Sequence, residues 1–133
     1  MIQLPRTLVN QILTHAQRSP EDEVCGLIAV RQGRPSHSYP VENVADEPDH
    51  LFNMDPKGLI DTMRVMREKG EELFAIYHSH PHAPALPSAT DIKQAAYPEA
   101  LYLIVSLNTE GVLEMQGFRL KQGDVVVEEL EVV

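Results

Sequence analysis

The spacing of apolar residues predicts three helices. They cover residues 5–18, residues 55–70, and a short segment that starts near Ser88 and must end before Pro98. The first carries Leu8, Ile12, Leu13 and Ala16 at helical spacing. In the second, Asp55 is a plausible N-cap and Pro56 fits the first turn, while Gly70 ends the helix. The predicted apolar stripe of this second helix is Leu59, Ile60, Met63 and Met66.

Short apolar runs between and after these helices predict strands. The runs cover residues 24–30, 36–41, 73–79, 101–107, 111–120 and 124–133, whereas residues 44–54 look irregular. The run at 24–30 is too short for a helix and is best interpreted as a buried strand. The resulting order, αββαβαβββ, predicts one α/β domain over residues 1–133, with a mixed sheet and helices packed on it.

Composition narrows the function classes. The 133 residues are 43% hydrophobic, which is ordinary for a globular domain, and contain no apolar run long enough for a transmembrane helix. Twenty acidic residues against eleven basic ones give a net charge of −9, which argues against nucleic-acid binding because such a surface repels phosphate. A single cysteine, Cys25, and an N-terminus unlike a signal peptide favour the cytoplasm.

The segment HSHPHAPALPSATD (78–91) carries the most specific chemistry. His78 and His80 are two residues apart, so in a continuing strand both imidazoles leave the same face. Asp91 falls in the first turn of the following helix, where the positive end of the helix keeps a carboxylate ionised. Two histidines, one carboxylate and an open fourth position are the composition of a catalytic zinc site.

Simpler interpretations of these residues remain open at this point. A His-x-His pair also occurs by chance, and Ser88 with Asp91 matches a helix capping box. A zinc hydrolase further needs a general base, for which the acids Glu21, Asp22 and Glu23 before the buried strand are candidates. Glu23 lies directly against the apolar run and is the one expected to be partly desolvated, although all three could be solvated acids.

Together these residues resemble the signature of the JAMM (MPN+) metalloproteases. That signature is a glutamate before a Cys-Gly strand, then His-[Ser/Thr]-His-Pro, a serine separated from the second histidine by seven residues, and an aspartate three positions after the serine. The chain has Glu23-Val24-Cys25-Gly26, His78-Ser79-His80-Pro81, Ser88 and Asp91 at this spacing. The resemblance also covers the order of elements, so it implies the MPN/JAMM fold, a curved mixed sheet flanked by helices.

The resemblance implies a role for each matched residue. His78, His80 and Asp91 would bind one zinc ion, with a water as the fourth ligand. Glu23 would take a proton from that water and pass it to the leaving amine, and Ser88 would hydrogen-bond the oxyanion. His82 is expected to be an exposed loop residue, Cys25 a buried core residue, and Phe52 a core residue that could instead line a groove.

The resemblance further implies a substrate. The chain is similar to the small stand-alone bacterial members, which trim ubiquitin-like sulfur-carrier proteins near a C-terminal Gly-Gly. The expected partner is therefore the tail of such a carrier, hydrolysed at an amide bond, with no nucleic acid or membrane partner. A non-catalytic MPN scaffold and a zinc hydrolase of small amides are the alternatives, and the sequence does not indicate the oligomeric state.

Overall fold

The predicted helices form at the expected places. The structure is a computed structural model that describes residues 1–108 and 114–133. Its helices are α1 (Arg6–Gln17), α2 (Pro56–Glu68) and α3 (Ala89–Gln94). Asp55 caps α2, since its carboxylate accepts a hydrogen bond from Gly58 N at 3.3 Å. Gly70, with φ of +71°, turns the chain out of α2 in a conformation that favours glycine.

Among the described residues, eight strands form two sheets. The strands are β1 (Ile2–Leu4), β2 (Cys25–Arg31), β3 (Arg34–Val41), β4 (Glu72–His80), β5 (Leu101–Ser106), β6 (Glu114–Lys121), β7 (Asp124–Glu128) and β8 (Leu130–Val132). Six of them form one sheet in the order β3-β2-β4-β5-β6-β7, antiparallel except for the parallel pair β4–β5. The predicted α/β class with a mixed sheet is therefore confirmed.

Two predictions about the ends of the chain need correction. The predicted strand 124–133 breaks after Glu128, and β8 leaves the main sheet to pair with β1 in a parallel two-stranded sheet. Strand β1 was not predicted, because three residues carry too short a pattern and its partner lies at the other end of the chain. The first three positions of the predicted strand 111–120 lie outside the described residues.

Helices cover both faces of the main sheet. On one face, α1 packs Leu8, Ile12 and other apolar residues against alternate positions of the central strands. On the other face, α2 and α3 pack against the remaining positions, including Ile76 and Ile104. Alternate strand residues point to opposite faces, so the central strands carry apolar residues on both faces.

One apolar residue of α2 does not join this core. Ile60, predicted as part of the buried stripe, is 67% exposed. The other three residues of the stripe, Leu59, Met63 and Met66, do contribute to the core on this face of the sheet.

No helix in the described part of the chain is long and apolar enough to span a membrane.

A buried carboxylate fastens the edge strand β3 to the start of β4. The side chain of Glu71 is 1% exposed and accepts hydrogen bonds from Ser36 Oγ, His37 Nδ1 and Tyr39 OH, all on β3. Burial opposes the charged form, but these hydrogen bonds and the nearby His37 outweigh it and lower the pKa of Glu71. The ionised carboxylate therefore stabilises the fold above the pKa it has in the unfolded chain.

We expect Glu71→Gln to lower the free energy of unfolding by about 1–3 kcal/mol at pH 7, because a charged acceptor of three hydrogen bonds is lost. The stabilisation is present above about pH 4.3 and is lost as the pH falls through the lower folded pKa, so the difference from wild type should shrink near pH 3. Urea unfolding of the metal-free protein at both pH values measures it. The exposed neighbour Glu72 supplies the control Glu72→Gln, and equal stability of Glu71→Gln and wild type at pH 7 would contradict the interpretation.

Candidate metal centre and active site

Strands β2 and β4 bring the first candidate residues together. Their antiparallel register pairs Cys25 with His78, and it continues past the end of β2, where Val24 N donates to Ser79 Oγ at 2.9 Å and Ser79 N donates to Val24 O at 3.0 Å. Glu23, two residues before β2, therefore lies beside the end of β4, at the level of His80. The carboxylate and both imidazoles offer ligand atoms that lie within 4.8 Å of one another.

Helix α3 supplies the other two candidates. Ser88 is its N-cap and forms a full capping box with Asp91, as predicted: Asp91 N donates to Ser88 Oγ at 3.0 Å, and Ser88 N donates to Asp91 Oδ2 at 2.9 Å. The same Oδ2 lies 3.1 Å from His78 Nε2 and 3.2 Å from His80 Nε2. The capping box thus aims the carboxylate at the two histidines, so the cap and the candidate ligand are one arrangement.

The three atoms fit a metal ion. His78 Nε2 and His80 Nε2 are 3.1 Å apart, so with Asp91 Oδ2 they form a nearly equilateral triangle. Tetrahedral zinc with bonds of about 2.0–2.2 Å needs ligands roughly 3.3–3.5 Å apart, close to these edges. Two imidazole nitrogens and one carboxylate oxygen match the three protein ligands of catalytic rather than structural zinc sites.

Hydrogen bonding prepares His80 to act as a ligand. His80 Nδ1 lies 2.8 Å from Pro84 O, and since a carbonyl only accepts, Nδ1 carries the proton. In the neutral ring Nε2 would carry a lone pair directed at Asp91 Oδ2 and His78 Nε2. These electron-rich atoms repel one another unless a cation or proton lies between them. Without a metal, burial opposes the charged ring, but hydrogen bonds to Asp91 and to Pro84 O outweigh it and raise the pKa of His80, so that a proton on Nε2 can bond Asp91. Such an outer hydrogen bond to a carbonyl is typical of metal-bound histidines.

Burial sets the charge of the other groups. Burial lowers the pKa of His78, whose ring is 1% exposed, and so favours the neutral form that can bind a metal. Burial of Asp91 opposes ionisation, but hydrogen bonds from His78 and His80 outweigh it and hold the pKa of Asp91 well below its usual range. In the described part of the chain, His78 Nδ1 is buried without a hydrogen-bond partner.

Glu23 has the properties of a proton carrier. The residue is 5% exposed, and within residues 1–108 and 114–133 its Oε1 finds no hydrogen-bond partner. Burial raises the pKa of Glu23 to about 7, with Asp91 adding to the rise and His80 opposing it. A carboxyl group that titrates near neutral pH can accept and release a proton. Its neighbours Glu21 and Asp22 are exposed.

Three residues that were weighed in the sequence have clear positions. His82 is exposed, as expected. Cys25 is fully buried, and burial, with the charge of Glu23 adding to it, raises the pKa of its thiol to about 12, so it is not a nucleophile at neutral pH. Phe52, expected in the core, instead stacks on His78 with ring centroids 4.3 Å apart.

Two cavities flank the histidine pair. One, of about 590 Å³, lies beside Phe52 and Ile76 and reaches Leu59 of α2 and Tyr102 of β5. The other, of about 320 Å³, is lined by Glu23, His80 and Ser88, together with Asp49, His82 and five further residues. Leu51 lines both cavities.

The sequence missed two residues that hold this site together. Ser79, between the histidines, uses its backbone and its hydroxyl to fix the start of β2. Asn43 bonds the backbone of Glu23 with its side-chain amide. A lone asparagine beyond a strand carries no sequence signal for such a partner, because the contact depends on how the loop closes.

The chain belongs to the family of prokaryotic homologs of the JAB domain. Residues 5–120 match the model of that family, and the predicted JAMM/MPN relationship is confirmed. The family fits the fold and the candidate centre described above.

Curated relatives extend over most of the chain. The CysO-cysteine peptidase of Mycobacterium tuberculosis is 35% identical over 128 residues, which cover 95% of this chain and 87% of the relative. The probable TtuB-protein conjugate cleaving protease of Thermus thermophilus is 35% identical over 126 residues, which cover 95% and 80% of the two chains.

Solved structures have the same fold. The solution structure of protein DSY2949 from Desulfitobacterium hafniense matches with a TM-score of 0.88 at 33% identity, covering 100% of this chain and 93% of the other. A JAB1/MPN domain protein from Archaeoglobus fulgidus matches with a TM-score of 0.64 at 22% identity, covering 100% and 99%, which supports the fold alone.

We expect His80→Ala to abolish tight zinc binding, because it removes one corner of the triangle of ligand atoms. Elemental analysis after dialysis, and the rise in melting temperature on adding zinc to metal-free protein, both measure it. His82→Ala is the matched control, since His82 is an exposed histidine two residues away and should bind zinc normally. A full equivalent of tightly bound zinc in His80→Ala would disprove the assignment.

Proposed function

We propose that the protein is a zinc-dependent peptidase that hydrolyses an amide bond at the C-terminal tail of a ubiquitin-like sulfur-carrier protein. The observation that carries the proposal is the triangle of His78 Nε2, His80 Nε2 and Asp91 Oδ2 beside buried Glu23, whose Oε1 has no hydrogen-bond partner among the described residues. The names of the relatives, a peptidase of CysO-cysteine and a protease of TtuB-protein conjugates, support this class of substrate.

The proposed ligands are His78, His80 and Asp91, which would hold one Zn²⁺ ion per chain with a fourth position open to water. When bound, zinc lowers the pKa of water and polarises the scissile carbonyl. Asp91 also offsets the charge of the ion, and its position is fixed by Ser88 N. The neutral imidazoles of the two histidines complete the set.

Glu23 moves the proton. Its carboxylate accepts a proton from the attacking water and delivers it to the leaving nitrogen, so that an amide and water become a carboxylate and an amine. A pKa near 7 suits both transfers. The intact and buried Glu23 also favours an enzyme over a scaffold, because a buried carboxylate with an unpartnered oxygen costs stability without a catalytic return.

Ser88 stabilises charge on the substrate. Its Oγ accepts a hydrogen bond from Asp91 N, which leaves the hydroxyl proton available as a donor. Ser88 and Glu23 line the same cavity of about 320 Å³. A donor fixed at a helix N-cap is pre-organised for the carbonyl oxygen as negative charge develops there.

The tail of the carrier is proposed to reach the site through the larger cavity. Its lining includes Phe52, Leu59, Ile76 and Tyr102, apolar walls for an extended chain that ends at His78. The leaving amine would then lie on the side of Glu23.

We also propose a cytoplasmic location, which the use of a single buried cysteine supports.

We expect Glu23→Gln to keep zinc but to lose roughly 10²–10⁴-fold in rate, because the amide cannot carry the proton. The assay incubates zinc-loaded protein with a sulfur-carrier protein that bears a C-terminal extension and follows trimming by mass spectrometry. The control Glu21→Gln makes the same change at an exposed acid two residues away and should cleave normally. Normal cleavage by Glu23→Gln would contradict the role of Glu23 as the general base. Cleavage of small amides but not of the carrier protein by the wild type would contradict the proposed substrate.

Ser88→Ala is expected to lower kcat by roughly 10²–10³-fold through loss of the donor to the oxyanion. It should also lower the free energy of unfolding by about 1 kcal/mol, because the N-cap is lost. Zinc content should persist, since the backbone N–H of residue 88 still donates to Asp91. An unchanged kcat would show that Ser88 serves only as a cap.

A further inference from the structure

We infer that Asn43 is a positioning residue that holds the carboxylate of Glu23 in place by tying it to the site loop, residues 44–53. The inference rests on the proposed function of Glu23 as the base. It goes beyond that function because Asn43 lies outside the metal ligands and outside the pattern of residues that identified the site.

The amide of Asn43 uses its full hydrogen-bonding capacity. Its Nδ2 donates to Glu23 O at 2.9 Å and to Leu51 O at 3.0 Å. Its Oδ1 accepts from Ala45 N at 3.0 Å and from Asn53 N at 2.9 Å. An amide offers two donors and two acceptor sites, so none remains free. Rotating the amide by 180° would set donor against donor and acceptor against acceptor, so only one orientation fits.

The hydrogen bonds of the Asn43 side chain join both ends of the site loop across its interior. Val44 N donates to Asn53 O at 2.8 Å, and Asn43 and Met54 form an isolated bridge, so the two ends of the loop are already paired. The side chain of Asn43 adds bonds to Ala45, Leu51 and Asn53 within the closed loop. One partly buried side chain thereby orders a segment that has no other regular structure.

Pro48 of the site loop and the side chain of Asn43 both form hydrogen bonds with the backbone of Glu23. Glu23 N donates to Pro48 O at 2.7 Å, and Glu23 O accepts from Asn43 Nδ2. Glu23 precedes β2, so the register of the sheet sets its level beside His80, but the hydrogen bonds of its own backbone are with Pro48 and Asn43. The direction of its carboxylate therefore depends on the site loop and on the residue that orders that loop.

The site loop also touches the opposite side of the centre. Phe52 stacks on His78 with ring centroids 4.3 Å apart. Asn43 forms hydrogen bonds with Leu51 and Asn53, which are the sequence neighbours of Phe52. Because it also bonds the backbone of Glu23, it links the position of the Phe52 ring to that of Glu23. Loss of Asn43 should displace the base and loosen this wall, while His80 and Asp91 stay on β4 and α3.

The test is Asn43→Asp, which keeps the shape but replaces the two donors with an oxygen facing the carbonyls of Glu23 and Leu51. We expect kcat to fall roughly 10- to 100-fold, as for a catalytic group displaced by about 1 Å, with a smaller change in KM. The zinc dissociation constant should change less than about threefold, since the ligand set is untouched. Asn10→Asp, the same change at an exposed residue of α1, is the control and should match wild type.

A double-mutant cycle separates positioning of the base from general damage. In the Glu23→Gln background, measured under single turnover, Asn43→Asp should cost less than about threefold more, because the group it positions is already disabled. A full additional 10- to 100-fold loss would overturn the inference. Equal cleavage by wild type and Glu23→Gln would instead contradict the proposed role of Glu23 as the base. That result differs from the one that would overturn the inference about Asn43.

Amide hydrogen exchange of the metal-free protein gives a readout that is independent of activity. In Asn43→Asp the amide of Glu23, which donates to Pro48 O, should lose protection, because an oxygen facing the carbonyls of Glu23 and Leu51 repels them and loosens the site loop. The amides of Ala45 and Asn53 keep Oδ1 as their acceptor and should lose less protection. Asn43→Ser, which keeps one hydroxyl, should fall between this variant and wild type and covers the case that Asn43→Asp does not fold. Unchanged protection at all three amides would overturn the inference.

Discussion

The register between β2 and β4 is the constraint on which the candidate site depends. Pairing of Cys25 with His78 places the residues two positions further along, Glu23 and His80, at the same level and on the same face of the sheet. Slipping the register by one residue would turn one member of each pair to the opposite face. Ser79 reinforces the register where β2 ends, through its two hydrogen bonds with Val24. Gly26 also belongs to this arrangement, because a Cβ there would lie 2.5 Å from the ring of Tyr77.

Electrostatics then distinguishes two carboxylates that share the site. Asp91 is surrounded by hydrogen-bond donors and by both histidines, so its pKa is held low and it stays an anion. Glu23 is buried, and one of its oxygens has no such partner in the described residues, so its pKa rises to about 7. One carboxylate is thereby suited to a cation and the other to a proton, and burial with hydrogen bonding, not residue type, makes the difference.

Much of the fold and of the candidate site could be predicted from local patterns. The helices and the capping box of Ser88 and Asp91 depend on contacts within a few residues, and the central strands are visible as short apolar runs, so periodicity and capping rules describe them. The same patterns failed for Ile60, which has helical spacing but no sheet beneath it. They also failed for β1 and β8, whose pairing joins Ile2 to Leu130 and depends on where the rest of the fold leaves the two ends.

The sequence by itself determined which chemical groups could meet: two histidines on one strand face, a carboxylate at a helix start, and an acid before a buried strand. Only the tertiary structure decided how they meet. It set the distances of 3.1–3.2 Å among His78, His80 and Asp91, the raised pKa of Glu23, the stacking of Phe52 on His78, and the four hydrogen bonds of Asn43. The physical reason is that spacing along a chain fixes direction within one element, whereas distance and burial arise between elements that are far apart in sequence.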